Sequence, residues 1–451
     1  MVLLSPIFRA LYWIYRGYSG LRHWTVRRFT PLGLALAGGV GSAALLGFDT
    51  DNTVGYQAFA LMFCLLVVAL VFSPFFRAKF SVSRILPRFA TVGMPMHYDV
   101  EVRNLGARTQ AGLTLLDDLA DPRPDFRSWL AVQLDDEKHL RPFRFNRERR
   151  LHRFRIAKIK EAELPLLPAG QTARARVELT PLRRGVLRFE SCSFARPDPL
   201  GLFRSIARHK AEQAVLVLPK RYWLPPVALP GLLKYQQGGV AMASHVGQSE
   251  EFVSLRDYRR GDPPRHIHWR TWARVGKPIV KEFEDEFFVR HALILDTFTE
   301  RPRSEAFEEA VSVAASFACT VLTQESLLDL LFIGSSAYCF TAGRGLAHAD
   351  QMLEILASVQ PCAGKPFGDL ENLVVNHVAA VSGCICVLLA WDKERQQLVK
   401  KLKSLGLPVV VLVVTTTDDA APLEPGPMRD DPTRLHKLEV GRIEEQLARL
   451  A

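Results

Sequence analysis

Hydrophobic and polar positions follow three different rhythms along this chain. Two runs carry no charge, Pro31 to Phe48 and Gln57 to Ser73, and each is near the lower limit for crossing a bilayer as a helix. Only DTDNTVGY separates them, with Asp49 and Asp51 and no lysine or arginine. Basic residues flank the outer ends: Arg27 and Arg28 before, and Arg77, Lys79, Arg84 and Arg88 after. The pattern predicts a hairpin of two transmembrane helices over residues 31–76, with its short loop outside and both chain termini cytoplasmic at the inner membrane. Gly33, Gly38, Gly39 and Gly41 would let helices approach closely, so self-association through the hairpin is one expectation.

From about Phe80 the period falls to two. HYDVEVRNL, ARARVEL and GVLRFES alternate between apolar and polar residues and are divided by Pro- and Gly-containing turns, which predicts a β-sandwich-like domain over residues 77–220. The last third alternates short apolar strands with amphipathic helices. Strands are expected near 291–296, 327–333, 385–391 and 408–414, and helices from about Ser304, near 346–359 and over Lys393 to Lys403. Such strands indicate a mostly parallel, doubly wound sheet covered on both faces, an α/β domain over residues 290–451. Ligands of such sheets bind beyond the carboxyl ends of the strands.

Two further segments stand apart. Residues 1–30 hold Arg9, Arg16, Arg22, Arg27 and Arg28, no acid, and interleaved Phe8, Tyr12, Trp13, Tyr15, Tyr18 and Trp24. That composition predicts an interfacial helix, with aromatics at headgroup depth and arginines against anionic lipid. The basic region is too long for a secretory signal, and no small-residue cleavage site follows it. Residues 221–289 form a linker and then a stretch, Glu250 to Glu286, in which eight basic and eight acidic side chains cancel. Within it Asp262 and Pro263 read as a helix start. Trp269, Trp272 and Ala273 fall on one face, so the helix is expected to dock its tryptophans on a neighbouring domain.

Composition narrows the function classes. At 451 residues, and about 150 per domain, the chain holds roughly three units. A net charge of +11 suits work beside anionic lipid or nucleic acid and does not choose between them. Seven cysteines without a CxxC pair read as reduced, mostly buried thiols; Cys384 and Cys386 share a strand face as small core residues. The run from Lys138 to Lys160, ten basic residues against Glu148, reads first as a solvated strand and loop.

The string Glu251-Phe252, Leu255-Arg256-Asp257-Tyr258, Gly261-Asp262, Arg265, Ile267, Trp269 and Ala273-Arg274 resembles the signature of the domain of unknown function 58 family. Arg183-Arg184-Gly185 and Asp198-Pro199-Leu200-Gly201-Leu202-Phe203 also match that family's pattern. The resemblance implies a membrane hairpin, a β-rich domain, the signature, and a von Willebrand factor A-like domain. It also implies association with a MoxR-type AAA+ ATPase. Arg256, Arg259, Arg265 and Arg270 would then meet an acidic partner, with Asp257, Tyr258, Gly261, Asp262, Trp269 and Arg274 on the same surface.

Asp296 and Asp392 both end apolar strands and should meet at the sheet's crevice. The von Willebrand A resemblance implies an Asp-x-Ser-x-Ser metal loop, but here it reads Asp296-Thr297-Phe298-Thr299-Glu300. Phe298 obstructs octahedral Mg²⁺ coordination, and Glu300 would supply one oxygen. The competing reading pairs both carboxylates with helix termini or with signature arginines. His266 and His268 point to different helix faces and make poor ligand spacing. No nucleophile, base and orienting group come as a set, and no phosphate-cradling Gly-rich loop is present. The expectation is a membrane-anchored, cytoplasm-facing interaction protein without a cofactor. Binding of nucleic acid or anionic lipid through the basic segments is one alternative, and a metal-dependent hydrolase at Asp296, Glu300 and Asp392 is the other.

Overall fold

The computed structural model describes residues 5–46, 53–72, 76, 78–121, 123–139, 155–225, 251–260, 262, 264, 267–284, 290–301, 304–323, 327–342, 346–378, 381–416 and 423–450. Most of the basic 138–160 run, most of the 221–250 linker, and Gly261, Arg265 and His266 of the signature lie outside these residues. The chain divides into two units: residues 1–220 with 301–303 and 353–359, and residues 221–300, 304–352 and 360–451.

The first unit opens with three helices, α1 (Ser5–Arg28), α2 (Pro31–Leu46) and α3 (Thr53–Phe72). Neither α2 nor α3 contains a charged residue. At 1.5 Å per residue α3 is about 30 Å long and α2 about 24 Å. Among the described residues α3 alone is long and apolar enough to cross a membrane. The helices pack on each other, and a Cβ added at Gly39 would lie 3.0 Å from the Met62 sulfur.

Nine strands follow: β1 (Phe80–Ile85), β2 (Phe89–Thr91), β3 (Met96–Asn104), β4 (Leu113–Leu119), β5 (Ala157–Ile159), β6 (Ala162–Leu164), β7 (Thr172–Pro181), β8 (Gly185–Pro197) and β9 (Arg204–Leu218). A helix, α4 (Phe126–His139), interrupts them. They form two sheets, ordered β1-β3-β7-β5 and β2-β9-β8-β4-β6, antiparallel except where β2 meets β9. The alternation in β3 and β7 sends Tyr98, Val100, Val102, Val177 and Leu179 inward. They meet Leu115, Leu187, Phe189, Phe194 and Val215 of the other sheet in one shared core. The sequence reading places Arg84 among the basic residues flanking the membrane, but it lies inside this sandwich. Its Nε and Nη2 donate to Asp117, Tyr98 donates to the same carboxylate at 2.6 Å, and both charged side chains are fully buried.

The helices and the sandwich join at the Asp198–Phe203 turn. One Asp198 carboxylate accepts from the backbone amides of Leu200, Leu202 and Phe203 at 2.6–3.0 Å, and Gly201 takes a left-handed φ of 67°. Leu202 and Phe203 project from this turn into a cluster with Phe29, Leu36, Leu65 and Ala69. Thr30 donates to the Gly201 carbonyl and accepts from Gly33, starting α2 on the turn.

In the second unit, β10 (Glu251–Asp257) and β11 (Ile279–Glu284) form a hairpin carrying helix α5 (Trp269–Val275). A six-stranded sheet contains β12 (Arg290–Leu295), β13 (Leu327–Ile333), β14 (Ala337–Ala342), β15 (Gly383–Leu388), β16 (Val409–Thr415) and β17 (Leu435–Glu439). Its order is β14-β13-β12-β15-β16-β17, parallel throughout except for antiparallel β14. The helices are α6 (Glu305–Thr323), α7 (Leu346–Ser358), α8 (Gly368–His377), α9 (Lys393–Ser404) and α10 (Ile443–Leu447). Ala292 and Ile294 face Leu370, Val374, Leu398 and Leu402 on one side of the sheet. On the other side α6 packs along β12, β13, β15 and β16 with Phe307, Val311, Ala314 and Phe317 buried. The fold is thus multidomain and mixed α/β. The edge strand β14, helix α8 and strand β17 have no counterpart in the sequence reading.

Asp198→Ala strands three backbone donors, two of them buried. It should destabilise the first unit by at least about 2 kcal/mol, since each buried donor left unpaired costs about 1–3 kcal/mol. A thermal midpoint lowered by several degrees in detergent, with Asp198→Asn intermediate, is the expected result.

Candidate functional site

Two places merit chemical scrutiny, the signature hairpin and the carboxyl ends of the central strands. In the hairpin, a 3-10 turn at Pro264, closed by the Ile267 amide on the Pro264 carbonyl at 3.2 Å, follows Asp262. The two Asp262 oxygens take both Arg256 guanidinium nitrogens at 2.7 and 2.8 Å, and one of them accepts the Arg259 amide at 2.8 Å. Ile267 bridges to Val280, and α5 begins at Trp269, after His268. The His268 ring contacts Thr271 Oγ at 2.5 Å, and Gly276 closes the helix at φ 72°.

The expected docking of the tryptophans is not what the structure shows. Helix α5 carries no buried residue, and Trp269 is 62% exposed. The two indoles stack on each other, centroids 5.2 Å apart and 18° from parallel. Mutual stacking covers part of each ring without a neighbouring domain. Leu255, Tyr258 and Val275 are exposed on the same small module, with Arg259, Arg260, Arg270 and Arg274. Arg256 belongs to the framework holding this surface, and Lys277 pairs with Asp257 at 2.9 Å.

The strand ends bring Asp296 and Asp392 together through Arg395, a residue the sequence reading missed. Arg395 donates from Nε to Asp296 Oδ2 at 2.9 Å and from Nη1 to Asp392 Oδ2 at 2.5 Å. Its Nη2 reaches the Phe298 carbonyl at 3.4 Å, and the guanidinium lies 4.6 Å from the centre of the Phe367 ring. Asp296 also accepts the Phe298 amide at 2.9 Å and the Leu389 amide at 3.1 Å. Asp392 caps α9 through the Arg395 amide. Burial alone would lower the Arg395 pKa, but Asp296 and Asp392 outweigh it and hold the value above the ordinary one.

These residues do not fit a divalent cation. The place between the two carboxylates is filled by a guanidinium, and Phe298 packs edge-on against Phe367 at 5.3 Å. Glu300 stands exposed in the same loop and takes no part in these contacts. Among the described residues no cluster of three His, Cys, Asp or Glu side chains could hold a metal. The competing reading, carboxylates engaged by helix termini or by arginine, matches in kind. The arginine is Arg395 of α9 and not one from the signature. The signal for it was present in the sequence: Asp-x-x-Arg directly after an apolar strand is an N-cap with an i,i+3 ion pair.

The class defined so far is a multidomain chain with apolar N-terminal helices, a β-sandwich and a mixed α/β sheet preceded by a basic, aromatic hairpin. A family model described as "Protein of unknown function DUF58" matches residues 254–447, which cover the signature from Leu255 onward and all six strands of the α/β sheet. The uncharacterized protein YeaD of Bacillus subtilis is 31% identical over 243 residues, covering 49% of this chain and 59% of that protein. The chain therefore spans less than two thirds of this relative's length, and neither match describes an enzymatic activity. Among solved structures, the CARDB domain of PF1109 from Pyrococcus furiosus aligns at 14% identity and TM-score 0.17, covering 31% of this chain and 93% of that one. AvmM, which catalyses macrocyclization in alchivemycin A biosynthesis, aligns at 13% and 0.20, covering 33% and 94%.

Arg395→Leu leaves Asp296 buried without a counter-charge and should cost about 3–5 kcal/mol of sheet stability. Adding Asp296→Asn should return part of that loss, read as thermal unfolding in detergent. Calorimetry of the full chain with Mg²⁺ should give no binding heat. The Arg256 guanidinium, then the Arg259 amide, hold the Asp262 carboxyl down to about 2 from an ordinary 3.8. The pair's contribution is therefore complete above pH 3.8 and is lost as pH falls toward about 2. A carboxyl-carbon NMR titration, assigned with Asp262→Asn, should place the Asp262 midpoint well below those of exposed aspartates.

Proposed function

We propose that this chain is a membrane-anchored interaction protein, held by α2 and α3 as a hairpin at the inner membrane with both termini cytoplasmic. Its signature hairpin docks an acidic protein partner. One observation carries the reading: a small, internally braced module presents Trp269, Tyr258 and Leu255 beside Arg259, Arg260, Arg270 and Arg274, with no buried residue in its helix. Aromatic side chains and arginine are the types that dominate interface energies, and here they are displayed on a rigid support. The Arg256–Asp262 pair fixes the hairpin, so binding need not fund its ordering.

The resemblance to the domain of unknown function 58 family names the partner class, a MoxR-type AAA+ ATPase, and reads the sheet as von Willebrand factor A-like. Self-neutralisation at the carboxyl ends of the strands supports a role in binding over catalysis. Asp296 and Asp392 are engaged by Arg395, so neither is an available base or nucleophile.

Charge reversal at Arg270 and Arg274 leaves the Arg256 brace intact. It should abolish capture of the co-expressed ATPase by the detergent-solubilised full chain while its thermal midpoint stays unchanged. Undiminished capture would remove this surface from the account. Retention on heparin or DNA that falls steeply with salt and is lost with the same substitutions would favour nucleic acid instead.

A further inference from the structure

Helix α1 has a face that the fold leaves uncovered. Tyr12 is buried against Phe126, Trp129 and Val132 of α4, and its hydroxyl donates to the Pro124 carbonyl. Near the other end, Arg27 pairs with Asp118 at 2.5 Å. These contacts fix the rotation of the helix on the first unit. Ile7, Leu11, Ile14, Tyr18 and Leu21 follow one another at spacings of four and three, so they form a single stripe. All five are exposed, Ile14 by 66% and Leu21 by 61%, and Trp13 beside them by 69%. Large apolar patches of this kind mark interaction sites and are rare on free surfaces.

We infer that this stripe lies in the plane of the bilayer surface, making α1 an interfacial membrane element and not a third span. The inference rests on the membrane-anchored reading. The helix holds five arginines and no acid in 24 residues, a composition that bars it from the hydrocarbon centre and suits anionic headgroups. Two residues separate its end from Pro31, the first residue of uncharged α2, so α1 adjoins the apolar helices. Phe29 and Thr30 tie that corner to Phe203 and Leu202, which prevents α1 from swinging away as a free arm. Arg28 lies 6.0 Å from the Trp24 ring centre, an aromatic and cationic pairing typical of headgroup depth.

The test is photocrosslinking of the full chain in vesicles of phosphatidylethanolamine and phosphatidylglycerol. Benzoylphenylalanine replaces Ile14 or Tyr18 in the stripe, Phe63 on exposed α3, or Val186 on the exposed sandwich surface. The expected result is a lipid adduct at Ile14, Tyr18 and Phe63 and none at Val186. A lipid adduct at Phe63 alone overturns the inference while leaving the anchor standing. Absence of lipid adducts at all positions sinks the anchor as well. A covalent dimer through Ile14 or Tyr18 overturns it in favour of a second copy covering the stripe.

Discussion

The Arg395 guanidinium is the constraint from which the chemistry of the second unit follows. It joins the end of β12, the start of α9, the Phe298 carbonyl and the Phe367 ring in one contact set, with Asp296 fully buried beneath it. A carboxylate in that position must be neutralised, since an isolated buried charge is prohibitively costly. An arginine supplied by the following helix does this without an external ion. The same solution recurs at Arg290 with Asp329 and at Arg84 with Asp117, where aspartates that end up inside sheets meet arginines of the same unit. Internal pairing of this kind uses up several of the acids. Each such pair also takes up an arginine, so the net charge of +11 is carried by other residues, those of the acid-free α1 among them.

That division explains what was legible in the sequence. The strands β12, β13, β15 and β16 lie within a few residues of their expected positions because each is apolar on both faces, which only a covered parallel sheet permits. Helix α9 is likewise where its spacing puts it. Strand β14 escaped because its first three residues are exposed on an edge, which leaves little apolar signal. Arg84 misled for a different reason: a formal charge beside an apolar run has the same letter whether it faces headgroups or an aspartate in a sandwich core. The tryptophan pair misled through area alone. Two indoles need partners, and they found each other.

The sites divide the same way. Asp296 and Asp392 converge as strand ends should, so their position was legible. Their occupant was legible by half: the three-residue spacing of Asp392 and Arg395 marks a capped ion pair, whereas the Asp296 contact, 99 residues away, leaves no periodic trace. In the signature, the ends of the Arg256–Asp262 contact are six residues apart, a spacing that neither helix nor strand period marks. Arg256 takes that carboxylate as a bidentate partner, a 3-10 turn at Pro264 stands near the expected helix start, and the α-helix begins at Trp269.

On the anchored reading, the joint between helices and sandwich divides the anchor. A Cβ on Gly33 would lie 2.0 Å from the Leu202 carbonyl oxygen, so backbone meets backbone there and only glycine fits. The first turn of α2 is therefore committed to the Asp198–Phe203 turn, which shortens the length it can offer to lipid from about 24 Å. Helix α3, about 30 Å long, meets the same turn through the Leu65 and Ala69 side chains near its end, and its full length matches a hydrocarbon core. On the anchored reading, α3 sets the depth of insertion and α2 transmits that depth to the sandwich through one glycine and one aspartate. On that same reading, a rigid joint fixes the first unit's height above the bilayer, which a flexible tether would leave undefined.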